Sequence, residues 1–111
     1  MIQVLVLNNK KYNINDLHKF VNSQKLKSIN IKLEKFTPQL KQNLYSSMSM
    51  LDIIYETKTI QESNLKYPII IGETYTIYDG RHRLMKAFLN NKKEIKCIII
   101  SKKILNNFLI N

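Results

Sequence analysis

Apolar and polar residues alternate from Ile2 to Leu7, a pattern that predicts a strand with one face turned inward. Asn8-Asn9-Lys10-Lys11 reads as a turn, and Tyr12 to Ile14 as the return strand. Asn15 or Asp16 then caps a short helix that carries Leu17, Phe20 and Val21 inward. From Ser28 to Leu33 the alternation resumes with Ile29, Ile31 and Leu33 on one face. Thr37-Pro38 has the chemistry of a helix start, and Leu40, Leu44, Met48 and Leu51 follow at helical spacing as its core stripe. Glu56 to Asn64 is polar and reads as a loop or a frayed helix end.

The last third has the clearest pattern. Tyr67 to Ile71, then Gly72-Glu73, then Thr74 to Tyr78 read as a hairpin with glycine first in a two-residue turn. Leu84, Ala87 and Phe88 recur at helical spacing, so a helix is expected from Arg81 to Asn90, with Asn91 available for a left-handed cap. Ile95 to Ile100 forms a further strand, which makes a strand-helix-strand crossover, right-handed if its strands are parallel. Ser101 caps a terminal helix whose Ile104, Leu105, Phe108 and Leu109 form an apolar stripe. That stripe is expected in the core, with self-association or a partner as the alternative use. The expected fold is α+β, a small mixed β-sheet with flanking helices, in one domain spanning residues 1–111.

Charge adds a candidate partner. The net charge is +10 with a pI near 9.8, which favours polyanions such as DNA, with Lys25, Lys27, Lys32 and Lys35 as a basic face. Asn, Lys and Ile are abundant, as an AT-rich coding bias produces, so single lysines carry little information. Cys97 stands alone in an apolar stretch, where a buried strand thiol is the default, and a reducing cytoplasm is expected. No apolar run reaches membrane length, so no membrane partner is expected. His18 reads as a surface residue, since no second ligand stands at metal-binding spacing and no metal site is expected.

Both arginines of the chain sit with His82 in one run, Asp79-Gly80-Arg81-His82-Arg83, at the predicted strand-to-helix junction. Asp79 suits a helix cap and Gly80 a backbone angle that other residues resist. Three basic side chains then fall on the first helical turn, where the dipole and unpaired N–H groups are already positive. An anion is expected to offset them. Gly80, Arg81, His82 and Arg83 are therefore the candidate phosphate-binding residues, with Arg83 poorly compensated until ligand binds. The bland alternative is a solvated basic turn partly neutralised by Asp79.

This block, Tyr67-Pro-Ile-Ile-Ile with Tyr75-Thr-Ile-Tyr-Asp-Gly-Arg-His-Arg-Leu-Met-Lys-Ala87, resembles the ParB/sulfiredoxin-like domain superfamily. The resemblance implies a turn that holds nucleotide phosphates, with Gly80 as the turn glycine, Arg83 as the phosphate arginine and His82 as the histidine of the Gly-x-His-Arg version. It also implies a nucleoside triphosphate, ATP or CTP, with Mg²⁺. Arg81 stands where sulfiredoxins carry their catalytic cysteine, and Cys97 lies on another element, so sulfinic-acid reduction is not expected. No helix-turn-helix of the partition-protein kind is seen after the block in this sequence, so a stand-alone module of the kind that phages and plasmids carry is expected.

The expected function is a nucleotide- or phosphate-binding module acting near DNA, with weak phosphohydrolase or kinase-like phosphotransferase activity in view. Phosphoryl transfer needs charge neutralisation and a base. Asp79, His82 and Glu34 are the candidate catalytic residues. A nucleic-acid backbone binder or nuclease, and a mobile-element interaction factor with a vestigial site, are the competing readings.

Overall fold

The computed structural model describes residues 3–43 and 47–111. Strands β1 (Val4–Leu7) and β2 (Lys10–Asn13) form a hairpin in which Leu7 pairs with Lys10. The turn is therefore two residues, Asn8 and Asn9, both at positive φ (50° and 65°), a conformation that asparagine tolerates. Helix α1 (Ile14–Ser23) follows at once. Its cap is Asn13, whose Oδ1 accepts from Asp16 N at 3.0 Å, so the helix begins before the expected Asn15 or Asp16. Ile14, Leu17 and Val21 face the core. The last strand, β7 (Leu109–Ile110), pairs with β2 and completes a three-stranded antiparallel sheet.

A second, mixed sheet contains β3 (Ile29–Lys32), β4 (Ile69–Ile71), β5 (Ile77–Asp79) and β6 (Glu94–Ile99) in the order β3-β6-β4-β5. β6 runs parallel to β4 and antiparallel to β3. Helix α4 (Arg81–Leu89) links β5 to β6, which lie antiparallel on either side of β4, so the handedness rule for parallel crossovers does not govern this link. All three β4 residues are buried because both faces of the sheet are covered. Ile70 and Ile98 pack toward Tyr12, Leu17 and Leu105, while Ile69, Ile71 and Cys97 pack toward Phe36, Leu84 and Ala87. The molecule is a small α+β protein with helices flanking its sheets.

The structure departs from expectation at several turns and helices. The β4–β5 connection spans Gly72 to Thr76, with Gly72 N donating to Thr76 O at 2.8 Å, and not two residues. Gly72 serves packing: a Cβ there would collide with the Tyr78 hydroxyl, and the positive φ of the turn falls on Tyr75 (67°). The helix at Thr37-Pro38 is a short α2 (Thr37–Leu40) behind a 3₁₀ turn (Leu33–Phe36). Thr37 does not cap it; its hydroxyl donates back to Glu34 O at 2.8 Å.

The long helix lies later, as α3 (Met50–Glu62), so Glu56 to Glu62 is helical and not loop. It starts at a reciprocal box in which Ser49 Oγ accepts from Asp52 N and the Asp52 carboxylate accepts from Ser49 N. Of the expected core stripe, Leu44 lies outside the described residues, Met48 precedes α3, and Leu51 is exposed.

The C-terminal end of α4 follows its expected chemistry. Asn91 is left-handed (φ 56°), and Asn91 N and Lys92 N donate to Phe88 O and Ala87 O. Helix α5 (Lys102–Leu105) is capped by Ser101 Oγ, which accepts from Ile104 N. It gives way to a 3₁₀ turn (Asn106–Phe108) and then β7, with Leu105 fully buried and Phe108 edge-on to Phe20 at 5.6 Å. The terminal apolar stripe is thus largely core, although Leu109 on β7 stays exposed. No helix among the described residues is long and apolar enough to cross a membrane.

Candidate functional site

Gly80 is the N-cap of α4 with φ 106° and ψ 22°, and no side chain caps this helix. A left-handed junction lets the chain leave β5 and enter the helix within one residue. It is also crowded. A Cβ on Gly80 would lie 2.5 Å from Ile69 Cγ2 and 3.1 Å from Arg83 Nη2. The first intrahelical bond runs from Leu84 N to Gly80 O at 3.0 Å, so the N–H groups of Arg81, His82 and Arg83 have no acceptor within the helix.

Asp79 does not cap α4. Its Oδ2 accepts from Arg83 Nη2 at 3.0 Å and meets His18 Nε2 at 2.7 Å, and its Oδ1 accepts from Gln3 Nε2 at 3.0 Å. The second terminal nitrogen of Arg83 donates to Pro68 O at 2.8 Å. The side chains of Arg83 and Asp79 are only 17% and 11% exposed. Arg83 is therefore compensated within the fold, contrary to the expectation of an unpaired charge. Its guanidinium clamps the end of β5 to the segment entering β4. His18, expected as a surface bystander, holds the same carboxylate from α1.

The other half of the turn faces α3. His82 Nε2 meets Glu56 Oε1 at 2.8 Å, and Arg81 Nη2 lies 4.0 Å from the same oxygen. Lys86 Nζ donates to the carbonyls of Gln61 and Ser63, which ties the C-terminal end of α3 to α4. Glu56 and His18 are the residues that sequence reasoning missed. The Ser49-x-x-Asp52 box could have revealed the helix that delivers Glu56. For His18 the sequence carries no such signal, since its partner is 61 positions away.

Arg81, His82 and Arg83 line a cleft of about 820 Å³. Its other walls are β1, the C-terminal end of α3 (Thr59, Glu62 and Ser63) and Gln39 with Leu40. Tyr78 also lines it, and burial, the largest cause, pushes its hydroxyl above the usual tyrosine range, reinforced by Tyr12 and Glu73 and opposed by Lys102. Glu34 is not brought here. It lines a smaller cavity of about 370 Å³ with Phe88, Asn91 and Lys92, at the far end of α4. Cys97 is fully buried, and burial pushes its thiol up to about 12. Among the described residues, no group of three or more His, Cys, Asp or Glu could hold a metal ion.

Chemically, two carboxylates face two guanidiniums at this turn, so net charge alone does not draw in an anion. The helix N-terminal N–H groups lie beside the cleft, together with the Arg81 and His82 side chains that Glu56 holds. No family model, curated protein or solved structure matches the chain.

Proposed function

We propose that the protein is a nucleotide- or phosphate-binding module, ParB/sulfiredoxin-like in its Asp79-to-Arg83 turn, which receives phosphate oxygens at the N-terminus of α4. The observation that carries this reading is the left-handed Gly80 N-cap, which leaves the first turn of α4 without a side-chain cap on the wall of an 820 Å³ cleft. A cleft of this size accommodates a nucleoside triphosphate such as ATP or CTP with its Mg²⁺.

The residues divide by role. Arg81 and His82 line the cleft and touch the ligand. Arg83 and Asp79 are positioning residues, because their polar atoms already bond to each other, Pro68, His18 and Gln3. Any proton transfer during phosphohydrolysis or phosphotransfer falls to His82, held by Glu56; Asp79 is too fully engaged to serve as a base. A DNA partner would meet Lys25, Lys27, Lys32 and Lys35, which are exposed and lie outside the cleft lining.

Calorimetric titration with inorganic phosphate, ATP and CTP, with and without Mg²⁺, beside an unrelated DNA duplex, tests the reading. Saturable nucleotide or phosphate binding that Arg81→Ala weakens at least about tenfold supports it. Binding to the duplex alone, unchanged in Arg81→Ala, replaces it with the nucleic-acid reading, and binding to none of these overturns both.

A further inference from the structure

Gln39, on the short helix α2, lines the same cleft as the Gly80 turn. Its Oε1 is buried and meets no hydrogen-bond donor among the described residues. Buried side-chain acceptors are paired in the great majority of cases, because an unpaired one gives up its water and receives nothing in return. A methionine has a similar length and brings no N–H or C=O, so packing alone gives no reason for an amide here. The missing donor is one that an occupant of the cleft can supply, since a half turn about the last side-chain bond moves the oxygen to where the nitrogen stands.

Phosphate does not supply it. The ionised oxygens of a phosphate chain are acceptors, matched to the N–H groups at the start of α4, and they have no N–H to offer Gln39. A nucleobase edge sets an N–H donor beside an acceptor, the pair that a glutamine carboxamide meets with two hydrogen bonds. The cleft also holds a flat face for a base. Tyr67 is 60% exposed and lines it, on a turn in which Tyr67 N donates to Asn64 O and Asn64 Oδ1 accepts from Lys66 N. Stacking on an aromatic ring suits any base, because every base has a π-face.

We infer that the cleft takes a whole nucleotide and not phosphate alone, with the Gln39 carboxamide bonded to the base edge and the Tyr67 ring stacked on the base, a placement that rests on the α4 turn being the phosphate site. The carboxamide presents its oxygen and nitrogen in either order after a half turn. Gln39 therefore selects a base over no base, and not one base over another.

Calorimetric titration of the full chain in Mg²⁺ is the test. It compares ATP and CTP with tripolyphosphate, and AMP with ribose 5-phosphate, which lacks only the base. The expected result is an affinity for ATP or CTP at least about tenfold above that for tripolyphosphate, with AMP likewise ahead of ribose 5-phosphate. Gln39→Met should remove most of that advantage, leave tripolyphosphate binding unchanged, and keep or raise the melting temperature because the orphaned oxygen is gone. Should Gln39→Met fail to fold, Gln39→Ala takes its place, and Tyr67→Ala should reduce the same advantage independently. Equal binding with and without a base, or a folded Gln39 variant that keeps the full advantage, overturns the inference and leaves the phosphate site standing. Binding to none of these ligands overturns both.

Discussion

Arg83 Nη2 and Asp79 Oδ2 are 3.0 Å apart across the Gly80 turn, so the residue that opens the turn and the one that ends it are joined by an ion pair. The Asp79 carboxylate also meets His18 of α1, and the Arg83 guanidinium also reaches Pro68 O. The turn is braced before any ligand arrives. All of the run lines the cleft, and within it the Asp79–Arg83 pair holds the turn together.

Arg83→Ala should lower stability by about 2 kcal/mol, since it leaves the Pro68 carbonyl and part of a mostly buried carboxylate unpaired. Urea unfolding measures this. Arg83→Lys should recover part of the loss, because an ammonium cannot span both partners as the planar fork does. Full wild-type stability in Arg83→Ala would return Arg83 to the role of an uncompensated ligand residue.

Gly80→Ala should cost about 2–3 kcal/mol, combining the strain of φ 106° with a Cβ forced against Ile69. Ile69 is fully buried in the central strand and has little room to yield. A thermal melt indistinguishable from wild type would contradict this account of the turn.

Arg81→Ala should leave the protein folded while weakening phosphate or nucleotide binding by about 1.5–3 kcal/mol, the range for a charge-assisted hydrogen bond. Glu56→Gln should act in the other direction. The amide oxygen can still accept from His82, but the negative charge beside Arg81 and His82 is gone, so anion affinity should rise several-fold at low salt. Titrations of both variants at two salt concentrations would show the opposite shifts.

Cys97 should be inert to thiol reagents in the native state and reactive after unfolding. Its pH signature follows from a thiol pushed from 9.0 up to about 12 by burial. Below 9.0 both states hold the proton and the contribution is fully present. Above it the unfolded thiol ionises while the folded one does not, so stability falls until about pH 12, by at most about 1.4 kcal/mol per pH unit. Comparing alkaline unfolding of wild type with Cys97→Ala isolates this slope from the lysines and tyrosines that titrate nearby.

Local chemistry explains which elements could be read directly. Gly80 between an alternating strand and a 3.6-period helix marks the α4 junction by itself, and Asn91 and Ser101 end and begin helices through their own backbone and side-chain preferences. The α3 region is not legible in this way because its apolar residues before Ile60 do not face the core. Periodicity reports burial, and Met50 to Tyr55 are exposed, so the stripe Leu40, Leu44, Met48 and Leu51 points instead to a helix starting at Thr37. The Gly72 turn misled for a related reason. Glycine suggests a tight turn, whereas here it makes room for the Tyr78 ring.

The sequence by itself determined the run Asp79 to Arg83, its strand-to-helix setting and the α+β character, because each depends on residues within a few positions of one another. Only the tertiary structure decided what those side chains do. Asp79 is bound by Gln3 and His18, 76 and 61 positions away, and His82 by Glu56, 26 positions away. Ion pairs and hydrogen bonds act over a few ångströms of space, and no local preference encodes which distant carboxylate the fold will place within that reach.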